Sequence, residues 1–326
     1  MTGVSTRIGW RAVAVDLLIR HGFLLIMAGF FLFFALAAKS FLTSGNLVNV
    51  LEGNAVLLIL ALAMTLIVSA GGIDLSIGVA LDFGAAFAMV ALKTYGAPWP
   101  LAIGIAVAGS ALVGLTNAGL IVGLGVSPFL ATLGVLFIGS SIERIYTDGG
   151  GPIAFRAAPQ GYRNLAVGDV YGIPTEIVIA AVVLAIYYVL LERSVHGKRI
   201  HAIGLQRRAA EVAGIRIGHY LSAAFVTASA TCALGGVILS ANLRQFTPLA
   251  GGSYLLHAIA AVFIGASLHP RSRPNVPGTL LGVLFLGVVA NGLNLMGLDF
   301  NVKDALAGII LVGALAFAIA QQRFRR

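Results

Sequence analysis

A carboxylate and a hydroxyl two residues apart interrupt a long apolar stretch: Asp74 and Ser76 stand in Gly71-Gly72-Ile73-Asp74-Leu75-Ser76-Ile77-Gly78. Oxygens so placed can accept the unpaired N–H groups at the start of the following helix, or they can line a gate or pathway. Asp82 follows eight residues on, inside another apolar run. Asn117, Thr132, Asn291 and Asn294 are amides and a hydroxyl inside otherwise greasy runs. Such groups either meet a polar solute or act as interhelical hydrogen-bond glue. Catalytic patterns are absent. No GxxxxGK[ST] phosphate loop occurs, His196 and His201 are five apart rather than at the i, i+4 spacing of a helical zinc pair, and no HExxH or CxxC is present. The sequence therefore predicts neither an ATPase site nor a metal centre in this chain.

A second chemistry-bearing stretch runs from Arg193 to Ile217 and carries six basic residues. Within it Ala209, Ala210, Glu211, Val212 and Ala213 favour a short helix, and Gly214 is suited to close it. A short exposed helix fits docking to a soluble partner; a basic loop also fits contact with anionic lipid. Charge alone leaves both open.

These residues need a membrane to position them. Of 326 residues, 59% are hydrophobic and 10% charged, which leaves too little polar surface to coat a soluble globule. Residues 22–38, 53–73, 177–191, 217–243, 245–270, 274–298 and 305–322 contain no Asp, Glu, Lys or Arg, and each approaches the ~20 residues that span hydrocarbon. The run 94–142 is also charge-free; as one helix it would reach about 70 Å, so it must hold two spans, broken over Gly119 to Pro128. A further span, 75–92, is interrupted only by Asp82. The expected fold is an all-α integral membrane protein of about ten helices, one domain over 1–326. A segment of residues 1–21 precedes the first apolar run. Ala35-Leu36-Ala37 imitates a signal cleavage site, but that run exceeds the usual signal core.

Placing both termini in the cytoplasm puts 14 of the 21 basic residues there, the 193–217 connection included, as the positive-inside rule requires. The net charge of +9 thus reads as topogenic clusters, not a nucleic-acid surface. Cys232, the single cysteine, reads as a packing residue. Gly119 with Gly123, and Gly278 with Gly282, read as helix-packing pairs. Glu143, Asp148, Asp169, Glu176, Asp299 and Asp304 fall at span ends or outer loops. Asp74 and Asp82 are left nearest the hydrocarbon.

Three ordered motifs, GGIDLSIG (71–78), GLIVGLGVSPFLATLG (119–134) and HGKRIHAIGLQRRAAEVAGI (196–215), resemble the ribose-type permeases of bacterial ABC importers. The resemblance continues through HAIAAVFIGAS (257–267) and PGTLLGVLFLGVVANGLNLMG (277–297). It implies a multi-pass inner-membrane permease for a monosaccharide or autoinducer-2-like solute. It further implies a second identical or homologous permease, a twin-cassette ATPase carrying the ATP and Mg, and a periplasmic sugar-binding protein. By the same resemblance, 209–214 is the helix that enters the ATPase cleft and 71–78 is a signature turn. Three departures stand out: Asp82 where a small apolar residue is usual, His257 where an acid is common, and Leu268-His269-Pro270-Arg271-Ser272-Arg273-Pro274 in place of a glycine-rich turn. The rival expectations are an ion-coupled carrier using Asp74 or Asp82, and a membrane scaffold without transport.

Overall fold

The computed structural model describes residues 10–299, of which 10–21 as backbone only, together with 302, 305, 306, 308, 309, 312, 313 and 316. Residues 1–21 and most of the apolar run 305–322, with Lys303 and Asp304, lie outside the residues described in full. Among the described residues thirteen α-helices with defined bounds make up most of the backbone: α1 Trp10–Ala37, α2 Ser44–Gly53, α3 Ala55–Ser69, α4 Ile77–Lys93, α5 Trp99–Ala118, α6 Pro128–Tyr146, α7 Gln160–Val167, α8 Thr175–Tyr188, α9 Val195–Leu205, α10 Arg207–Val212, α11 Ile217–Leu243, α12 Gly251–Leu268 and α13 Val276–Leu295. Single π-turns extend α5 (Gly119–Gly123) and α8 (Val189–Arg193). Strands β1 (Ile153–Ala154) and β4 (Gln245–Phe246) pair antiparallel, as do β2 (Asp169–Val170) and β3 (Ile173–Pro174).

The apolar runs become helices because in hydrocarbon a backbone has no other way to satisfy its own N–H and C=O groups. Their starts are set by local chemistry. Thr43 accepts from Asn46 N–H at 3.3 Å, Ser194 from Gly197 N–H at 3.1 Å, and Asn275 from Gly278 N–H at 2.7 Å, three N-caps. Proline occupies the first turn of α5, α6 and α13, where its missing N–H costs nothing.

Six described helices are long and apolar enough to cross a membrane: α5, α6, α8, α11, α12 and α13; counting the α2–α3 pair, bent by 44°, as one span gives seven. The expected two spans in 94–142 are α5 and α6. Helix α4, with 17 residues, and the apolar part of α1, Gly22–Ala37, fall short of the same length.

Helix α11 is the central mast, with 61% of its apolar window buried. A Cβ on Gly84 of α4 would sit 2.9 Å from Ala233 O, and one on Gly114 of α5 would sit 2.7 Å from Val226 Cα, so small residues bring α4 and α5 backbone-close to the mast. Gly278 and Gly282 do the same for α13 against Gly265 and Ala261 of α12. Gly119 and Gly123 have open space where a Cβ would stand; they belong to the π-turn that ends α5 and pack nothing closely. Cys232 is buried in the mast. Tyr162 anchors α7 to it, its hydroxyl 2.6 Å from Ser240 Oγ.

Candidate functional site

Polar chemistry collects at three places along the bundle. The first is the break between α3 and α4. Asp74 Oδ1 accepts from Ser76 N–H at 2.8 Å and from Ser76 Oγ–H at 2.6 Å, an Asx turn. Ser76 Oγ in turn accepts from Asn117 Nδ2 of α5 at 2.7 Å. Asp74, Ser76 and Asn117 are all fully buried. The expected cap is thus half right: Ser76 is the N-cap position of α4 but its side chain makes no cap bond, because Asp74 and Asn117 engage its hydroxyl first. Asp74 Oδ2 and Asn117 Oδ1 have no hydrogen-bond partner among the described residues. Thr132 of α6 completes the group, its hydroxyl 3.4 Å from Ile73 O.

Glycine is required at position 71 of this turn. Gly71 has φ +85°, and a Cβ there would lie 3.1 Å from Gly204 Cα. A Cβ on Gly72 would lie 3.4 Å from Pro128 Cβ at the start of α6. The turn is therefore seated between α9 and α6.

The second place lies little more than a turn into α4, where it runs beside the C-terminal end of α6. Asp82, 2% exposed, accepts from Gly251 N–H with both oxygens, at 2.9 and 3.0 Å. Glu143 of α6, also 2% exposed, accepts from Leu249 N–H at 2.7 Å. Two carboxylates thus hold the entry to α12, where helix N–H groups are unpaired and the dipole favours negative charge. A Cβ on Gly78 would sit 2.8 Å from Gly251 O, so α4 lies backbone-close to that same turn. Sequence reasoning put Glu143 at a span end and missed its burial. The signal was available: Val135, Gly139, Glu143 and Thr147 recur every four residues and are all buried, one face of a helix. Glu176 of α8 is likewise buried, bonded to Asn242 Nδ2 at 3.1 Å.

The third place is the connection from α8 to α11. Helix α10 begins at Arg207, two residues before the expected start, and its end is a full Schellman motif: Ile215 N–H to Ala210 O at 3.0 Å and Gly214 N–H to Glu211 O at 2.9 Å, with Gly214 at φ +77°. Ala209, Glu211, Ala213 and Gly214 are exposed and only Ala210 is buried. Val212, 91% exposed, stands out as an apolar knob beside Arg207 and Arg208. Next to this connection, Arg273 Nη2 lies 3.5 Å from Glu192 Oε2, and Glu192 Oε1 accepts from Val276 N–H at 3.1 Å. His269 faces Arg271 N–H at 3.1 Å and Arg273 Nε at 3.2 Å through its two ring nitrogens; a neutral ring has one lone pair and accepts one of them. Burial first, then the Arg273 guanidinium, holds both His269 and His201 below the ordinary imidazole range.

The remaining sequence-predicted residues do not converge. Asn291 of α13 exchanges two 3.0 Å hydrogen bonds with Asn46 of α2, and Asn294 is exposed further along α13. His257 is exposed on α12, its Nδ1 2.7 Å from Ser253 O. A crevice of about 190 Å³ between α4 and α6 is lined by Phe83, Phe87, Tyr146 and Phe246 with Glu143 at its edge; Asn117, Thr132, Asn291 and Asn294 are not among its walls.

A family described as "branched-chain amino acid transport system / permease component" matches residues 46–315. The ribose import permease protein of Bacillus subtilis (strain 168) is 34% identical over 276 residues, 85% of each chain. That of Escherichia coli (strain K12) is 30% identical over 283 residues, 85% of this chain and 87% of its own. The autoinducer 2 import system permease protein of Escherichia coli (strain SMS-3-5 / SECEC) is 30% identical over 257 residues, 78% of each. No solved structure gives a significant match.

Proposed function

From the premise that this chain belongs to that permease family and is a multi-pass inner-membrane permease subunit of an ABC importer, we propose that it passes a ribose-type sugar or sugar-like solute inward by alternating access. Two permeases, identical or homologous, enclose the path. A periplasmic sugar-binding protein delivers the solute, and a twin-cassette ATPase holds the ATP and Mg that this chain does not bind. The observation that carries the reading is α10: a helix of six residues, rigidly capped by Gly214 and bare of neighbours except at Ala210. A short helix that buries so little of its own surface has its cover elsewhere, and the Val212 knob flanked by Arg207 and Arg208 suits a soluble protein with an apolar, acid-rimmed cleft.

In this reading the described α1, the α2–α3 pair, α4, α5, α6, α8, α11, α12 and α13 are nine spans, and the run 305–322 is the tenth. The α9–α10 face is then cytoplasmic, in accord with Arg193, Lys198, Arg199, Arg207, Arg208, Arg216, Arg271 and Arg273 gathering there. The far end of α6, just beyond Glu143, points toward the periplasm and the binding protein. ATP-driven closure of the cassettes moves α10, and the permease exchanges its inward and outward openings.

The test replaces Gly214 by Ala and Glu211 by Ala in the reconstituted complex. A non-glycine residue at φ +77° costs about 1–2 kcal/mol locally, so binding-protein-stimulated ATP hydrolysis and transport of labelled D-ribose both fall while the basal ATPase persists. Unchanged stimulation and transport would overturn the docking assignment. Uptake by the chain alone in liposomes would overturn the importer mechanism.

A further inference from the structure

The α10 knob is joined to the rest of the bundle by α9, with one extended residue, Gln206 (φ −157°), between the two helices. The C-terminal end of α9, next to α10, reaches the Gly71 turn. There the contact is backbone on backbone: a Cβ on Gly204 would overlap Ser69 O and lie 3.0 Å from Gly71 N, and a Cβ on Gly71 would lie 3.1 Å from Gly204 Cα and 3.5 Å from Gly204 O. No side chain fits between the two glycines. On its other side the same turn touches α6, through Gly72 against Pro128 and Ile73 O toward the Thr132 hydroxyl.

Helix α6 is the element best placed to respond. Only 28% of its apolar length is buried, as for α8, against 61% for α11 and α13 and 56% for α12; of α6 and α8, α6 is the one that meets the Gly71 turn through Pro128 and Thr132. Its opposite end holds the α12 entry through Glu143 and Leu249 N–H. A side chain at a packed joint deforms by changing rotamer, whereas two backbones in van der Waals contact have no such freedom and transmit displacement as a hard stop.

Resting on the importer reading above, we infer that Gly204 is a positioning residue of the coupling step: its bare Cα seats α9 on the Gly71 turn, so that α9, the turn and the first turn of α6 move as one block when α10 is displaced. The glycine at 204 is then required for transmission. It touches neither substrate nor nucleotide.

The experiment uses the complex with its ATPase and binding protein in lipid nanodiscs, with spin labels on introduced cysteines; the native Cys232 is buried and stays unlabelled. Leu205→Cys with Leu130→Cys joins the end of α9 to the start of α6, both exposed at 75% and 60%. Leu130→Cys with Ile186→Cys joins α6 to α8. Between the nucleotide-free and the ATP–vanadate states, the 205–130 distance is expected to stay constant while the 130–186 distance changes by more than about 2 Å, the scale of a helix shift. Gly204→Val is expected to leave vanadate trapping of ADP intact, to abolish the 130–186 change and to cut binding-protein stimulation of ATP hydrolysis about tenfold; Leu205→Ala, beside it, leaves stimulation unchanged. A 205–130 distance that shifts with nucleotide overturns the block in the native-glycine background, whatever the folding of the valine variant. Full stimulation in Gly204→Val overturns it equally. If neither distance in the native-glycine complex responds to nucleotide or binding protein, the importer reading itself fails, and the inference falls with it.

Discussion

Asn291 stood among the residues that either meet a sugar or act as interhelical glue, and it is bonded to Asn46 of α2. Its Nδ2 donates to Asn46 Oδ1 at 3.0 Å, and Asn46 Nδ2 donates to Asn291 Oδ1 at 3.0 Å. Asn46 uses its second amide hydrogen on Phe41 O at 2.9 Å. An interhelical hydrogen bond in a membrane is worth about 0.6 kcal/mol on average, so the reciprocal pair should couple α2 to α13 by about 1.2 kcal/mol, close to an eightfold change in the folding equilibrium. Asn291→Ala is expected to cost about that amount and Asn46→Ala roughly 0.6 kcal/mol more, because Phe41 O loses its donor too. Reversible unfolding in mixed micelles of both single variants and the double variant isolates the coupling term. A coupling below about 0.3 kcal/mol, within the error of additivity, refutes the argument. So does an Asn291→Ala variant of native stability whose transport KM has risen, since that is the signature of a pathway residue.

At the α12 entry, Asp82→Ala removes both acceptors of Gly251 N–H and is expected to cost about 1–3 kcal/mol, with hydrogen exchange accelerated at residues 249–253 and not near Leu268. Asp82→Asn, which retains an oxygen, restores most of the protection; equal exchange along α12 in all three proteins would refute the clamp. On the α9–α10 face the sign of the pH effect follows from His269 and His201, both held below the ordinary value of 6.5. As pH falls through 6.5 the unfolded chain takes up protons that the folded chain refuses, so stability is lost from there down to the folded values and is flat above. The slope is at most about 1.4 kcal/mol per pH unit for one proton, and less for partly exposed His269, whose charge solvent screens. Melting temperatures between pH 7.5 and 5.5 should fall, and His269→Gln with His201→Gln should flatten that fall; a drop of the same size in the double variant refutes the assignment to these rings.

What the sequence made legible was whatever chain connectivity and helix chemistry decide locally. The break in 94–142 followed from glycines and a proline, and α5 and α6 separate there. The end of α10 followed from Gly214 alone, since a left-handed C′ position after a helix-favouring segment has few other occupants. Local chemistry misled where a distant donor competes: Ser76 was expected to cap α4, yet Asn117, 41 residues away, claims its oxygen. Nothing local announces that Asn46 meets Asn291 across 245 residues, or that β1 pairs with β4. Glu143 lay between these cases, its four-residue stripe readable but overridden by the expectation that a carboxylate at a span end faces water.

That expectation failed for a physical reason that also links two joints of the bundle. A buried carboxylate needs donors, and in a helical bundle the backbone N–H groups left over are those at helix N-termini. Asp74 therefore sits two residues before Ser76 at the entry to α4, and Asp82 and Glu143 sit at the entry to α12. Each acid marks a joint where one helix begins against another. At the joint before α4 two glycines remove the side chains between α9 and the turn; at the α12 entry Gly78 and Gly251 do the same between α4 and α12. Helix α6 touches both joints, at Pro128 and Thr132 near one end and Glu143 near the other, while Phe137, Ile138 and Ile142 between them face outward. An element held firmly at its ends and loosely along its length tilts more readily than it bends, and tilt is the motion that exchanges an opening on one side of a membrane for one on the other.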